Sequence, residues 1–147
     1  MPYSLKEMRL LANTGSCAAQ IQLGHACLIG VDLEGNTFPP NYSEAMHWLQ
    51  CAHERQASTA TYLLGTMYED GKGTVADIGK AIDLYEMAVE RGAYLPCLNL
   101  ARIYASGKGV TQSMILAEKW YRKALSFENE VDDVDGLQEA RLFVTQN

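Results

Sequence analysis

The sequence lacks any excess of positive charge. Its 12 Lys and Arg are outnumbered by 18 Asp and Glu, for a formal net charge of −6. Binding to nucleic acid needs a basic stripe that displaces counterions, and binding to an anionic membrane needs a polybasic segment. The expectation is therefore no nucleic acid and no membrane, whereas a basic protein partner is compatible. No window approaches the ~18 apolar residues of a membrane span. The opening stretch MPYSLKEMRLLANTG has neither the basic start nor the apolar run of a secretory signal. The expected location is cytoplasmic. The four cysteines, at 17, 27, 51 and 97, fit no zinc-ligand spacing. Each lies in an apolar helical stretch, the setting of a buried thiol.

Catalytic signatures are also missing. Gly71-Lys72-Gly73-Thr74 looks superficially like a phosphate loop, but that loop needs a glycine where Thr66 stands. His47 and Cys51 lie four apart and could share one helix face, but His53 falls on another side of that helix and His25 on a different helix. A metal site would need further ligands. No serine, cysteine or carboxylate sits in a nucleophile motif. The expectation is no enzyme, no cofactor and no metal.

What the sequence does contain is a repeat, within a chain of 147 residues, long enough for one domain. Residues 63–92 map onto 99–128. Leu64 falls on Leu100, Tyr68 on Tyr104, Gly71-Lys72-Gly73 on Gly107-Lys108-Gly109, Ala81 on Ala117, Tyr85 on Tyr121 and Ala88 on Ala124. An earlier copy places Leu23-Gly24 on Leu64-Gly65 and Gly30 on Gly71, with extra residues around LEGNTFPPN. Each copy reads as two helices. Ala81, Leu84, Tyr85 and Ala88 give the apolar stripe of a half-buried helix. Four residues before the aligned alanines 45, 81 and 117 stand Asn41, Asp77 and Ser113, three different residues that all cap helix N-termini well. Glu44, three after Asn41, suggests a capping box. The turn glycines supply the positive φ that ends the first helix of each pair.

These features predict an all-α, short right-handed solenoid of antiparallel pairs with about seven helices. One domain, 1–147, would hold a cap helix at 4–14, repeats at about 16–56, 57–92 and 93–128, and a closing cap helix at 134–146. Atypical ends of this kind cover the open core of a solenoid. The motif set resembles the Sel-one-like repeat, a relative of the tetratricopeptide repeat. Its carriers are Leu64-Gly65, Tyr68, Gly71, Gly73, Asp77, Lys80-Ala81, Tyr85, Ala88 and Gly92, with Ala101 replacing the helix-contact glycine of the third copy and Gln56 the usual terminal glycine of the first. Secreted relatives carry disulfides between paired helices, so bridging stays open. The resemblance implies a protein-binding module: an adaptor or regulator, or, as in bacterial relatives, an immunity or inhibitor protein that neutralises a toxin or effector.

In such solenoids the first helix of each pair lines the concave face. With Leu23, Leu64 and Leu100 turned to the core, the positions two before and two after them point to the groove. These are Ile21 and His25, Tyr62 and Thr66, and Leu98 and Arg102, with Glu69 and Asp70 at one helix end. Ile21, Tyr62 and Leu98 would form an apolar strip with a polar margin. Phe38, beside Pro39-Pro40 in the inserted loop, is a secondary contact candidate or a spacer tucked on the core. The carboxylates at 128, 130, 132, 133 and 135 read as a solvated linker in which Asp133 or Asp135 caps the last helix.

Overall fold

The computed structural model describes residues 3–147. Eight helices occupy these residues: α1 (Leu5–Asn13), α2 (Cys17–Ile29), α3 (Tyr42–Glu54), α4 (Ser58–Asp70), α5 (Ile78–Glu90), α6 (Leu95–Ser106), α7 (Met114–Leu125) and α8 (Val134–Gln146). The expected count of about seven is one short, since a cap, three pairs and a second cap make eight. Consecutive helices pack as hairpins, most closely within the pairs α2–α3, α4–α5 and α6–α7.

The second helix of every pair starts on the expected cap. Asn41, Asp77 and Ser113 accept hydrogen bonds from the backbone N–H groups of Glu44, Lys80 and Leu116. The same three residues donate their own backbone N–H to Cys27, Tyr68 and Tyr104 at 2.8, 2.8 and 2.9 Å. One bond, repeated three times, thus fixes the start of each second helix to the end of its first. The reciprocal capping box forms at Ser4 and Glu7 of α1. Glu44 is instead drawn to Arg9 of α1, at 2.7 Å. Gly30, Gly71 and Gly107 end α2, α4 and α6 in the left-handed region. The inserted loop folds back through a bridge between Val31 and Thr37. Phe38 donates its N–H to Gly30 and rests half-buried on the first core cluster.

The paired helices meet at small residues. A Cβ on Gly24 would lie 2.7 Å from Leu49, and one on Gly65 would lie 2.6 Å from Tyr85. Leu23, Leu64 and Leu100 are buried beside these contacts, as are the alanines at 45, 52, 81, 88, 117 and 124. Cys27 and Cys97 are also buried, and burial pushes both thiols up to about 11. Cys17 and Cys51 are only half-buried, because they sit at the margin of their helices' apolar faces, and all four cysteines are free thiols.

Two stability predictions follow from this packing. Ala117 has 0% exposure, so Ala117→Leu should overpack the α6–α7 contact and cost about 1–3 kcal/mol, read as a lowered urea midpoint. Gln56 holds φ at 63° where the second repeat has Gly92 at 91° and the opening helix is followed by Gly15 at 89°. Gln56→Gly should raise stability by about 1 kcal/mol, and an unchanged or lower midpoint would count against strain there.

Candidate protein-binding face

The first helices α2, α4 and α6, followed by α8, form one side of the array, and the expected site residues divide across it. His25 is exposed on α2, and Ile21 is half-buried against the first core cluster. On α4, Tyr62 is half-buried with its ring 5.9 Å from that of Tyr85. Thr66 is half-buried and donates its hydroxyl to the Leu63 carbonyl at 2.7 Å. Asp70 is exposed and lies 3.4 Å from Lys72. Leu98 departs from the expectation. It is 2% exposed, because α8 lies over it: a Cβ on Gly136 would come within 2.6 Å of its side chain. The apolar strip therefore does not run open across all three repeats. It is covered at the third by the closing helix, and the exposed side chains that extend the face are Gln22, Ile29, Thr59 and Leu95. Sequence spacing alone places them on the same side, but gives no measure of which neighbours cover them.

Arg102 is exposed yet engaged. Its Nε and Nη2 donate to the two carboxylate oxygens of Glu139 on α8, at 2.9 and 2.5 Å. Tyr121 donates its hydroxyl to the same carboxylate at 2.6 Å. The hydrogen bonds from Arg102 hold the Glu139 carboxyl below its ordinary range. A paired fork of this kind fixes orientation as well as charge. Glu69, on the preceding first helix, sits in a related arrangement: it accepts from the Tyr85 hydroxyl and from Lys108. Burial pushes the Glu69 carboxyl up, but the bonds from Tyr85 and Lys108 outweigh it and leave it below the usual range. Asn99 donates to the other side of the Tyr85 hydroxyl at 3.3 Å. Tyr62 and Arg102 are thus both structural neighbours of the second core cluster and members of the first-helix face.

A second polar arrangement recurs between repeats. Arg55 donates to the carbonyl of Gly15 at the end of α1, and Arg91 to that of His53 at the end of α3, the latter at 3.2 Å. Both arginines stand at the end of a second helix and reach a carbonyl at the end of the previous one, favourable for a cation near a helix C-terminus. Their 36-residue separation was present in the sequence. Arg91 also donates to the buried hydroxyl of Thr61 at 2.5 Å, and the His53 ring lies 2.9 Å from the same hydroxyl. His47 and Cys51 border a shallow surface pocket on α3. Among the described residues no three His, Cys, Asp or Glu side chains converge, and no helix is long and apolar enough to cross a membrane. In the 128–135 segment, Glu128 pairs with Arg141 at 2.8 Å and Asp133 caps α8.

Helix pairs of constant register, stacked between two closing helices, define a short α-solenoid of the helical-repeat class. Within that class, the chain belongs to the Sel1 repeat family, whose model matches residues 17–55, 58–92 and 97–126. A solved Sel1 repeat protein from Oxalobacter formigenes is similar at 29% identity, over 97% of this chain and 98% of that one, with a TM-score of 0.70. A protective antigen present in uropathogenic Escherichia coli strains, c5321, which displays an SLR fold, is similar at 25% identity with a TM-score of 0.72. That match covers 98% of this chain and 33% of the longer antigen. Repeats of this family typically mediate protein–protein interaction, and the family is a scaffold rather than a known enzyme family.

The His53 cluster makes stability depend on pH. Burial, and then the positive charge of Arg91, lower the His53 pKa from its ordinary 6.5. The folded state therefore binds fewer protons than the unfolded state just below that value, and stability falls as pH drops below 6.5 through the folded pKa. His53→Gln should flatten the change in urea midpoint between pH of about 7.5 and 5.5. Parallel slopes for the two proteins would remove His53 from the account.

Proposed function

We propose that the chain is a non-enzymatic protein-binding module whose first-helix face carries the partner. The supporting observation is the row His25, Thr66 and Arg102, set at one position of three successive first helices and flanked by Ile21 and Tyr62. Aromatic and arginine side chains at the centre of such a row are the usual energetic anchors of an interface. Tyr62 offers apolar area with a polar tip. Arg102, already holding one carboxylate, is oriented to share its remaining donors with a second. The net charge of −6 favours a basic partner and a salt-dependent approach. Within this reading the chain serves as an inhibitor that binds one toxin or effector and abolishes its activity. An adaptor would instead hold two partners at once.

Photo-cross-linking from the native surface tests the site without unpacking it. A benzophenone side chain at His25 or at Thr66 should capture the partner in cell extract, and the same group at Lys123 on α7 should capture nothing except a second copy of this chain. Tyr62→Ala and Arg102→Ala should each weaken the isolated complex by about 2 kcal/mol or more. Because Tyr62 touches Tyr85 and Arg102 holds Glu139, the helical signal is measured alongside. Capture of the partner at Lys123 alone, or folded variants that bind at full strength, would move the site elsewhere and make Phe38 the next position to probe. Loss of the partner's activity in a one-to-one complex marks the inhibitor; a ternary complex marks the adaptor.

A further inference from the structure

The second helices of the last two pairs, α5 and α7, carry opposite charges at equivalent places. In the 36-residue register, Asp83 of α5 corresponds to Lys119 of α7, and Glu86 corresponds to Arg122. Glu90 lengthens the acidic stripe and Lys123 the basic one. Between them runs an open cleft of about 720 Å³, floored by Val89 and Trp120, with Glu86 on one lip and Lys119, Arg122 and Lys123 on the other. The chain does not neutralise this cleft internally. Among the described residues, no ion pair spans it: Arg122 pairs with Glu118 of its own helix at 2.6 Å, and Asp83, Glu86, Lys119 and Lys123 belong to no ion pair. Lys119 lies instead over the Trp120 ring, 5.0 Å from its centre.

Two parallel stripes of opposite sign make a dipolar face. A partner of one sign meets attraction at one lip and repulsion at the other. A second copy of the same face meets attraction at both, provided it is turned half a revolution about an axis running along the cleft. That rotation lays each α7 over the other copy's α5, so both contacts form twice and the assembly closes as a two-fold pair. The alternative axis, across the helices, would set α7 on α7 and like charge on like. We propose that the α5–α7 cleft is a self-complementary surface on which two copies of this chain pair, the acidic stripe of each against the basic stripe of the other. The pairing leaves the first-helix face free, and it stands or falls independently of the function proposed above.

The test is sedimentation velocity on the whole chain. Exposed charges are screened by salt, so the protein at about 100 μM should be dimeric in about 50 mM NaCl and monomeric in about 500 mM. Two half-reversals, Asp83→Lys with Glu86→Lys and Lys119→Glu with Arg122→Glu, should each weaken the dimer at least about tenfold, because both register-matched contacts become like-charged. The four substitutions combined exchange the charges of both register-matched pairs, restore complementarity there and leave the net charge unchanged, so this variant should dimerise again. Circular dichroism establishes that each variant is folded, and the salt series on the unmodified chain gives a measurement that needs no variant. A monomer at low salt, a dimer indifferent to salt, half-reversed variants that still pair, or a folded four-fold variant that stays monomeric would each overturn the proposal.

Discussion

Each repeat depends on one close approach between its two helices. Where α2 crosses α3 and α4 crosses α5, the first helix presents glycine, and the facing side chain of Leu49 or Tyr85 occupies the space that a Cβ would need. Ala101 takes that place opposite Tyr121 in the third repeat. Buried alanines on the second helices keep the remainder of the contact narrow. Around these contacts the buried side chains gather into clusters that extend from one helix pair to the next. The two apolar clusters that result meet around Tyr68, which packs against both. The hydrogen bond from each cap residue to the end of its own first helix then fixes the register of the hairpin. Dispersion and exclusion of water from this tight contact supply most of what holds the array together.

Polar groups handle what apolar packing leaves unsatisfied. At the ends of α1 and α3, Arg55 and Arg91 donate to the carbonyls of Gly15, just past α1, and of His53, in the last turn of α3. Phe127 stands at the same place in the third repeat, and there it packs edge-on against Tyr94 with ring centres 6.0 Å apart. The closing helix α8 is seated differently from the internal ones. It buries Gly136, Leu137 and Ala140 and adds the Arg102–Glu139–Tyr121 cluster. Phe143 stacks against Tyr121 with ring centres 4.6 Å apart. A terminal helix has a neighbour on one side only, so hydrogen-bonded charge takes over part of the role that a further repeat would play.

The face proposed to bind a partner is shaped by the same two features. Open surface lies along α2 and α4, while the third repeat's share of it is occupied by α8. That arrangement combines an exposed imidazole on the first repeat and a half-buried hydroxyl on the second with an arginine on the third already orientated by a carboxylate. Ile21 and Tyr62 lie half-buried between neighbouring first helices. They can contribute area to a partner without the cost of ordering a fully exposed chain.

The repeat period, the three caps, the turn glycines and the small residues of the helix contacts were legible in the sequence, because each is a local requirement imposed on a residue and its near neighbours in the chain. Capping needs a short acceptor at one position, a left-handed turn favours glycine, and a close crossing needs a small side chain. The 36-residue recurrence turned those local requirements into a fold. Tertiary structure alone decided what covers what. The burial of Leu98 depends on α8, whose Gly136 is far along the chain. The fork on Arg102 depends on Glu139, which no spacing rule of a single helix relates to it. The half-burial of Phe38 depends on the loop folding back to Gly30. Periodicity fixes the direction in which a side chain leaves its own helix. Exposure is set by whichever helix comes to rest on that side, and that is a property of the packed array.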